Sequence, residues 1–116
     1  VKKTQSIKEN RQFRALYARG KTSARKTLAV YSRKNRSRTV NQLGITVSVK
    51  LGGAVVRNRA KRRIREAYRL NEHLFREGLD IVVVARHAIV NAPFGRICDD
   101  LLAICAEQGL LQETQP

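Results

Sequence analysis

Acidic residues are scarce in this sequence: 9 aspartates and glutamates face 24 lysines and arginines, for a formal net charge of +15 in 116 residues. A polycation of that strength seeks a polyanion, either nucleic acid or an anionic membrane surface. Long apolar runs are also missing. No stretch approaches the roughly 20 apolar residues that a membrane span needs, and the N-terminal "VKKTQSIKENRQF" has no apolar core to act as a signal peptide. A cytoplasmic protein without membrane contact is therefore expected. With no methionine and Val1 first, the start residue is expected to have been removed or not written as Met.

Cysteine, histidine and paired carboxylates are equally sparse. Cys98 and Cys105 lie seven residues apart in a segment with helical period, about 10 Å along the axis, whereas a disulfide needs Cα atoms within about 7 Å. Both read as small, unbridged core residues. His73 and His87 are isolated, and Asp99 and Asp100 are helix neighbours pointing about 100° apart. No metal-ligand spacing and no catalytic constellation emerges, so the protein itself is expected to hold no catalytic residue and no metal.

What is present suffices for one folded domain over residues 1–116, with residues 1–6 and 110–116 as flexible ends: 42% of the chain is hydrophobic, too apolar for a disordered tail. In "SIKENRQFRALYARG" Ser6 and Glu9 fit a capping box, with Asn10 as a rival cap. Phe13, Leu16 and Tyr17 fall at helical spacing before Gly20. Thr27 to Arg33 alternates as a strand. Leu43, Ile45, Val47 and Val49 then alternate against Gly44, Thr46, Ser48 and Lys50, and the basic stretch between these two strands reads as a hairpin loop. A helix is expected from about Val55 to Phe75, a buried β-branched strand from Leu79 to His87, and a last helix from Pro93 to Gly109 with Ile97, Leu101 and Ile104 as its apolar stripe. The order α-β-β-α-β-α implies an α+β single-domain sandwich.

The segment Arg57 to Arg69, "RNRAKRRIREAYR", carries seven cations and one carboxylate, Glu66. On a helical projection Val56, Ala60, Ile64, Ala67 and Leu74 form the core stripe. Arg57, Lys61, Arg65 and Arg69 make a cationic row expected on the opposite side, with Asn58 and Arg62 beside it. Like charges at i, i+4 disfavour a helix by about 0.2 to 0.5 kcal/mol per pair, a cost that bound phosphates reverse. Solvated helix faces usually mix signs, and this one does not. Tyr31, Thr46, Ser48 and Lys50 occupy the sheet face away from the apolar side, where the first helix can bring Phe13 and Tyr17. Aromatic and small polar groups beside a cationic helix suit a single RNA strand. The pattern alone leaves Phe13, Tyr17 and Tyr31 open as plain core residues. It also leaves open a ribosomal or RNA-chaperone protein, and a DNA-binding regulator, although no short helix precedes the basic one as helix-turn-helix docking requires.

The run "LGITVSVKLGGAVVRNRAKRRIREAYR" resembles the signature of the bacterial ribonuclease P protein family, in which a strand ending in Lys, a Gly and "AVxRNxxKRxxRE" follow in order. Lys50, Gly52, Ala54, Val55, Arg57, Asn58, Lys61, Arg62, Arg65 and Glu66 occupy those positions. "FRALYARG", "TLAVYSR" and "LDIVVVARH" are similar to the family's first helix, first strand and last strand. The resemblance implies a ribosomal protein S5 domain 2-like fold with a left-handed βαβ crossover, against the usual right-handed rule. It further implies a ribonucleoprotein that removes the 5′ leader of precursor tRNA, with one protein, monomeric when free, per catalytic RNA, and with Mg2+ bound by that RNA. Carried over by position, RNA contacts fall to Arg57, Asn58, Arg59, Lys61, Arg62 and Arg65, and the leader cleft to Phe13, Tyr17 and Tyr31; the pattern of the sequence itself adds Lys50 and Arg69 to the first expected set and Thr46 and Ser48 to the second. Two departures stand out: Val49 replaces a second Lys before Lys50, and the first-helix aromatic pair is Phe and Tyr rather than two Phe.

Overall fold

The computed structural model describes residues 4–37 and 39–112. Its elements run β1 (Thr4–Ser6), α1 (Asn10–Arg19), β2 (Lys21–Ala24), β3 (Leu28–Lys34), β4 (Asn41–Thr46), α2 (Ala54–Asn71), β5 (Leu79–Ala85) and α3 (Phe94–Glu107). The sheet order is β1-β4-β5-β3-β2. β5 takes the centre, antiparallel to β3 and parallel to β4, as expected of a nearly continuous β-branched run buried on both faces. Its odd-numbered residues join Leu28, Val30, Ile64, Phe75, Leu101 and Ile104 in the main core beneath α2 and α3. Val82 points the other way, into a smaller core with Ile7 and Leu16 under α1. The domain is thus α+β, with helices on both faces of a mixed sheet.

Polar groups fasten the layers. Asp100 of α3 accepts hydrogen bonds from the Thr27 amide (3.2 Å) and hydroxyl (2.7 Å). Gln108 donates to Ser23 Oγ (2.7 Å) and Val30 O (3.0 Å). Asn41 accepts from the Leu79 amide (2.9 Å) and donates to Arg76 O (3.0 Å), which sets the register of β5 beside β4. Cys105 is buried, which pushes its thiol up to about 12; Cys98 is half-buried and also raised, chiefly by burial.

Several expectations change. Thr4–Ser6, assigned to a flexible end, pairs with β4 in parallel, and Leu111 bridges to Phe75; residues 1–3 and 113–116 lie outside the described residues. Lys21–Ala24 adds a second edge strand. The two alternating stretches form no hairpin, because β5 separates β3 from β4. The parallel β4–β5 pair instead requires the α2 crossover. The capping box of α1 pairs Glu9 with Gln12, not Ser6 with Glu9. β4 ends at Thr46 and the chain coils into a 3-10 turn over Val49–Leu51, leaving Val49 72% exposed. Leu74 lies beyond α2 and is 37% exposed, while Tyr68 takes the core position.

Gly20 ends α1 for want of space: a Cβ there would stand 2.7 Å from Leu16 O and 2.9 Å from Ser32 O. That close approach lays α1 across the sheet. Leu16 is the one buried residue of α1, so Leu16→Ala is expected to cost about 2–5 kcal/mol, read as a lower urea midpoint with an unchanged slope.

Candidate nucleic-acid interface

Two surfaces meet at the end of β4. The first is the cationic side of α2. Ser48 Oγ accepts from the Lys50 amide (3.1 Å) and caps the 3-10 turn, leaving Lys50 exposed. Gly53 then caps α2, and Arg57 Nε donates back to Gly52 O (3.2 Å). Ala60, Ile64, Ala67 and Tyr68 face the core. The row Arg57, Lys61, Arg65, Arg69 does not run opposite them. Each i+4 step overshoots a full turn by about 40°, so the row winds from the flank of the core, where Arg57 and Lys61 are half-buried, to the outer face at Arg65 and Arg69. Asn58, Arg59 and Arg62 are exposed beside it.

The seven cations are not equivalent. Arg63 donates to Ile89 O (3.1 Å) and to Ala92 O, pinning the segment between β5 and α3. Burial, then the neighbouring Arg59 charge, lower its pKa. Arg69 holds Glu66 through two bonds of 2.8 and 2.6 Å, and that hydrogen bonding keeps the Glu66 carboxyl below its ordinary value. Arg57, Arg59, Lys61, Arg62 and Arg65 have no carboxylate partner among the described residues.

The second surface is a cleft between α1 and the sheet. Tyr17 meets Tyr31 edge-on, with ring centroids 4.9 Å apart, and its hydroxyl lies 2.9 Å from Thr46 Oγ1. Phe13 follows at 6.5 Å from Tyr17, its ring seated on Gly44, where a Cβ would come within 2.6 Å of it. Tyr17 remains 41% exposed. Val82 and Val84 provide an apolar floor, which alternation along β5 could have revealed once the strand was known to be covered on both faces. Phe13, Tyr17, Tyr31 and Thr46 therefore come together, whereas Ser48 serves the turn beyond them. Phe13 and Tyr31 are both half-buried and pack against the small core. Among the described residues, no three His, Cys, Asp or Glu side chains converge as a metal site would require.

A family model described as Ribonuclease P matches residues 1–108. The chain is 39% identical over 113 residues to the ribonuclease P protein component of Lachnoclostridium phytofermentans, covering 97% of each chain. It is 39% identical over 112 residues to that of Symbiobacterium thermophilum, again covering 97% of each. Among solved structures it matches the Staphylococcus aureus RNase P protein with a TM-score of 0.81 at 32% identity, over 92% of this chain and 97% of that one. The Thermotoga maritima RNase P protein gives a TM-score of 0.77 at 31% identity, over 86% and 94%.

The split among the cations is testable without RNA. Arg63→Ala removes the guanidinium donor from Ala92 O and from Ile89 O, the latter keeping the Ala92 amide, and is expected to lower unfolding free energy by about 1–3 kcal/mol. Arg62→Ala, on the exposed face, should stay within about 0.5 kcal/mol of the parent in the same urea titration.

Proposed function

The chain belongs to the bacterial ribonuclease P protein family, and from that premise we propose how its two surfaces divide the work. As the protein component of ribonuclease P it partners the RNase P RNA in an enzyme that matures the 5′ ends of precursor tRNA. The unpartnered cations of α2, with Lys50 and Asn58, dock the catalytic RNA. The Phe13–Tyr17–Tyr31–Thr46 cleft holds the single-stranded leader. One protein joins each RNA in the cytoplasm, and the free protein is a monomer. No helix among the described residues is long and apolar enough to cross a membrane.

The observation that carries this reading is an exposed Tyr17 ring, edge-on to Tyr31, in the same domain as a helix on which five of the seven cations have no carboxylate partner among the described residues. Bases stack on aromatic faces whatever their identity, and each stack is worth about 1–3 kcal/mol. Phosphates relieve the repulsion along the α2 row. The hydroxyl of Tyr17, spent on Thr46, orients the ring and leaves its face for stacking. Catalysis rests with the RNA, whose bound Mg2+ would supply charge stabilisation. The protein's own residues bind and align.

Reconstitution with a bacterial RNase P RNA tests the division. At low magnesium, accurate leader removal should appear only when the protein is added. Arg65→Ala is expected to weaken RNA assembly about three- to tenfold at ~0.1 M salt and to flatten its salt dependence. Tyr17→Ala should weaken precursor tRNA about tenfold and leave mature tRNA unchanged. An equal loss for both RNAs would remove the leader from the cleft.

A further inference from the structure

The cations of α2 flank a patch that charge does not account for. Val55, in the first turn of the helix, is 81% exposed. A lone exposed valine needs no explanation, but this one stands at an apolar slot. Val56, Ile89 and Val90 line the slot with it, and Arg59 and Arg63 complete the wall. Ile89 is fully buried, while Val56 and Val90 are half-buried. The slot separates α2 from the 3-10 turn His87–Asn91. By the turn angle of the helix it lies on the other flank from Arg57 and Lys61.

Size and charge narrow what enters it. The slot holds about 90 Å³, well below the roughly 300–1,000 Å³ of pockets that take up a free small molecule. Its occupant therefore arrives attached to something larger and enters by one small or flat group. Val55, Arg59 and Arg62 stand at i, i+4 and i+7 on one strip of the helix, with Asn58 exposed beside them. Arg59 and Arg62 have no carboxylate partner among the described residues, so the rim calls for an anion. Arg63 is different: its guanidinium is committed to Ile89 O and Ala92 O, and it lines the slot without being free to reach a phosphate. A second copy of the chain would bring its own net charge of +15 to this cationic rim, which opposes the contact.

We propose that this slot receives one unpaired base of the RNase P RNA, an inference that rests on α2 docking that RNA. A nucleotide out of its helix combines the two properties the slot asks for, a flat and largely apolar face next to an anionic backbone. Such bases stack on arginine planes as well as on aromatic rings. Here the base packs against Val55, Val56 and Val90 beside the fixed Arg63, and its flanking phosphates fall to Arg59 and Arg62. The apolar contact neutralises no phosphate, so it strengthens binding without steepening the dependence on salt. It also singles out one nucleotide, which cations meeting phosphates do not.

The experiment titrates the full chain against a bacterial RNase P RNA over a range of salt concentrations. Val55→Ser is the informative variant, because a side chain so exposed can be changed without opening the core, and an unchanged urea midpoint checks this. The expected result is RNA affinity about five- to tenfold weaker at every salt concentration, with the slope of log affinity against log salt unchanged. Val55→Ile, which keeps an apolar wall, should retain the affinity that Val55→Ser loses, whereas Arg62→Ala should flatten the slope. Chemical probing of base edges should find one unpaired nucleotide shielded by the parent and by Val55→Ile, and reactive again with Val55→Ser. Parental affinity in Val55→Ser, or no nucleotide whose protection depends on position 55, overturns the slot. A loss confined to precursor tRNA assigns the base to the substrate, and loss of a protein dimer in sedimentation assigns the slot to a second copy; either overturns the RNase P RNA as its source. If Arg65→Ala weakens assembly while Val55→Ser does not, only this inference fails. If neither variant weakens it, the docking of RNA on α2 fails as well.

Discussion

Burial of β5 on both faces is the constraint on which the molecule depends. Its odd-numbered side chains are committed to the main core under α2 and α3, and Val82 to the small core under α1. Every other element is placed by its relation to that strand. β3 and β4 flank it, α2 must cross from β4 to reach it, and α1 closes its second face only where Leu16 meets Val82. Because the small core covers just part of that face, Tyr31, Thr46 and Val84 stay accessible beside Tyr17. The cleft is thus a portion of the second face that α1 leaves uncovered.

The charge distribution follows from the same layout. Seven cations on one helix would be hard to accommodate if all pointed outward, and they do not. Arg63 turns inward to cap carbonyls between β5 and α3, and Arg69 is matched by Glu66. Those two are engaged within the protein, while the remaining five have no carboxylate partner among the described residues. The short turn from Thr46 through Lys50 to Gly53 joins the strand that carries Thr46 to the cationic helix.

Much of this was legible in the sequence where side-chain chemistry is dense. Leu79 to Ala85 declares a buried strand through β-branched residues, α3 declares its stripe, and the Arg57 to Arg69 run declares its partner's charge. Phe13, Tyr17, Tyr31 and Thr46 were also readable as one surface, since period-2 and helical spacing bring them to the same side. The edge strands were not legible. Thr4–Ser6 and Lys21–Ala24 are short and polar, and they are recruited by the neighbouring strand's free backbone groups and by distant side chains, Tyr68 at Thr4 and Gln108 at Ser23. Strand order was hidden as well: a local loop between β3 and β4 looks like a hairpin until β5, some forty residues on, claims the place between them. Arg63 offered no signal of its own, because its role depends on carbonyls that a distant turn supplies.

The strand order also governs how the chain folds as it is made. Synthesis delivers β3 and β4 long before β5, and the finished sheet does not pair them with each other, so each waits with one native edge unfilled until Ala85 has been made. Non-local pairing of this kind is slow and prone to association. The stretch emerging between those strands is Lys34 to Thr39, polar and strongly basic, and charge of that kind beside a waiting strand discourages premature edge-to-edge contact. Like charge in that loop thus stands beside the two strands during the interval in which the central one does not yet exist.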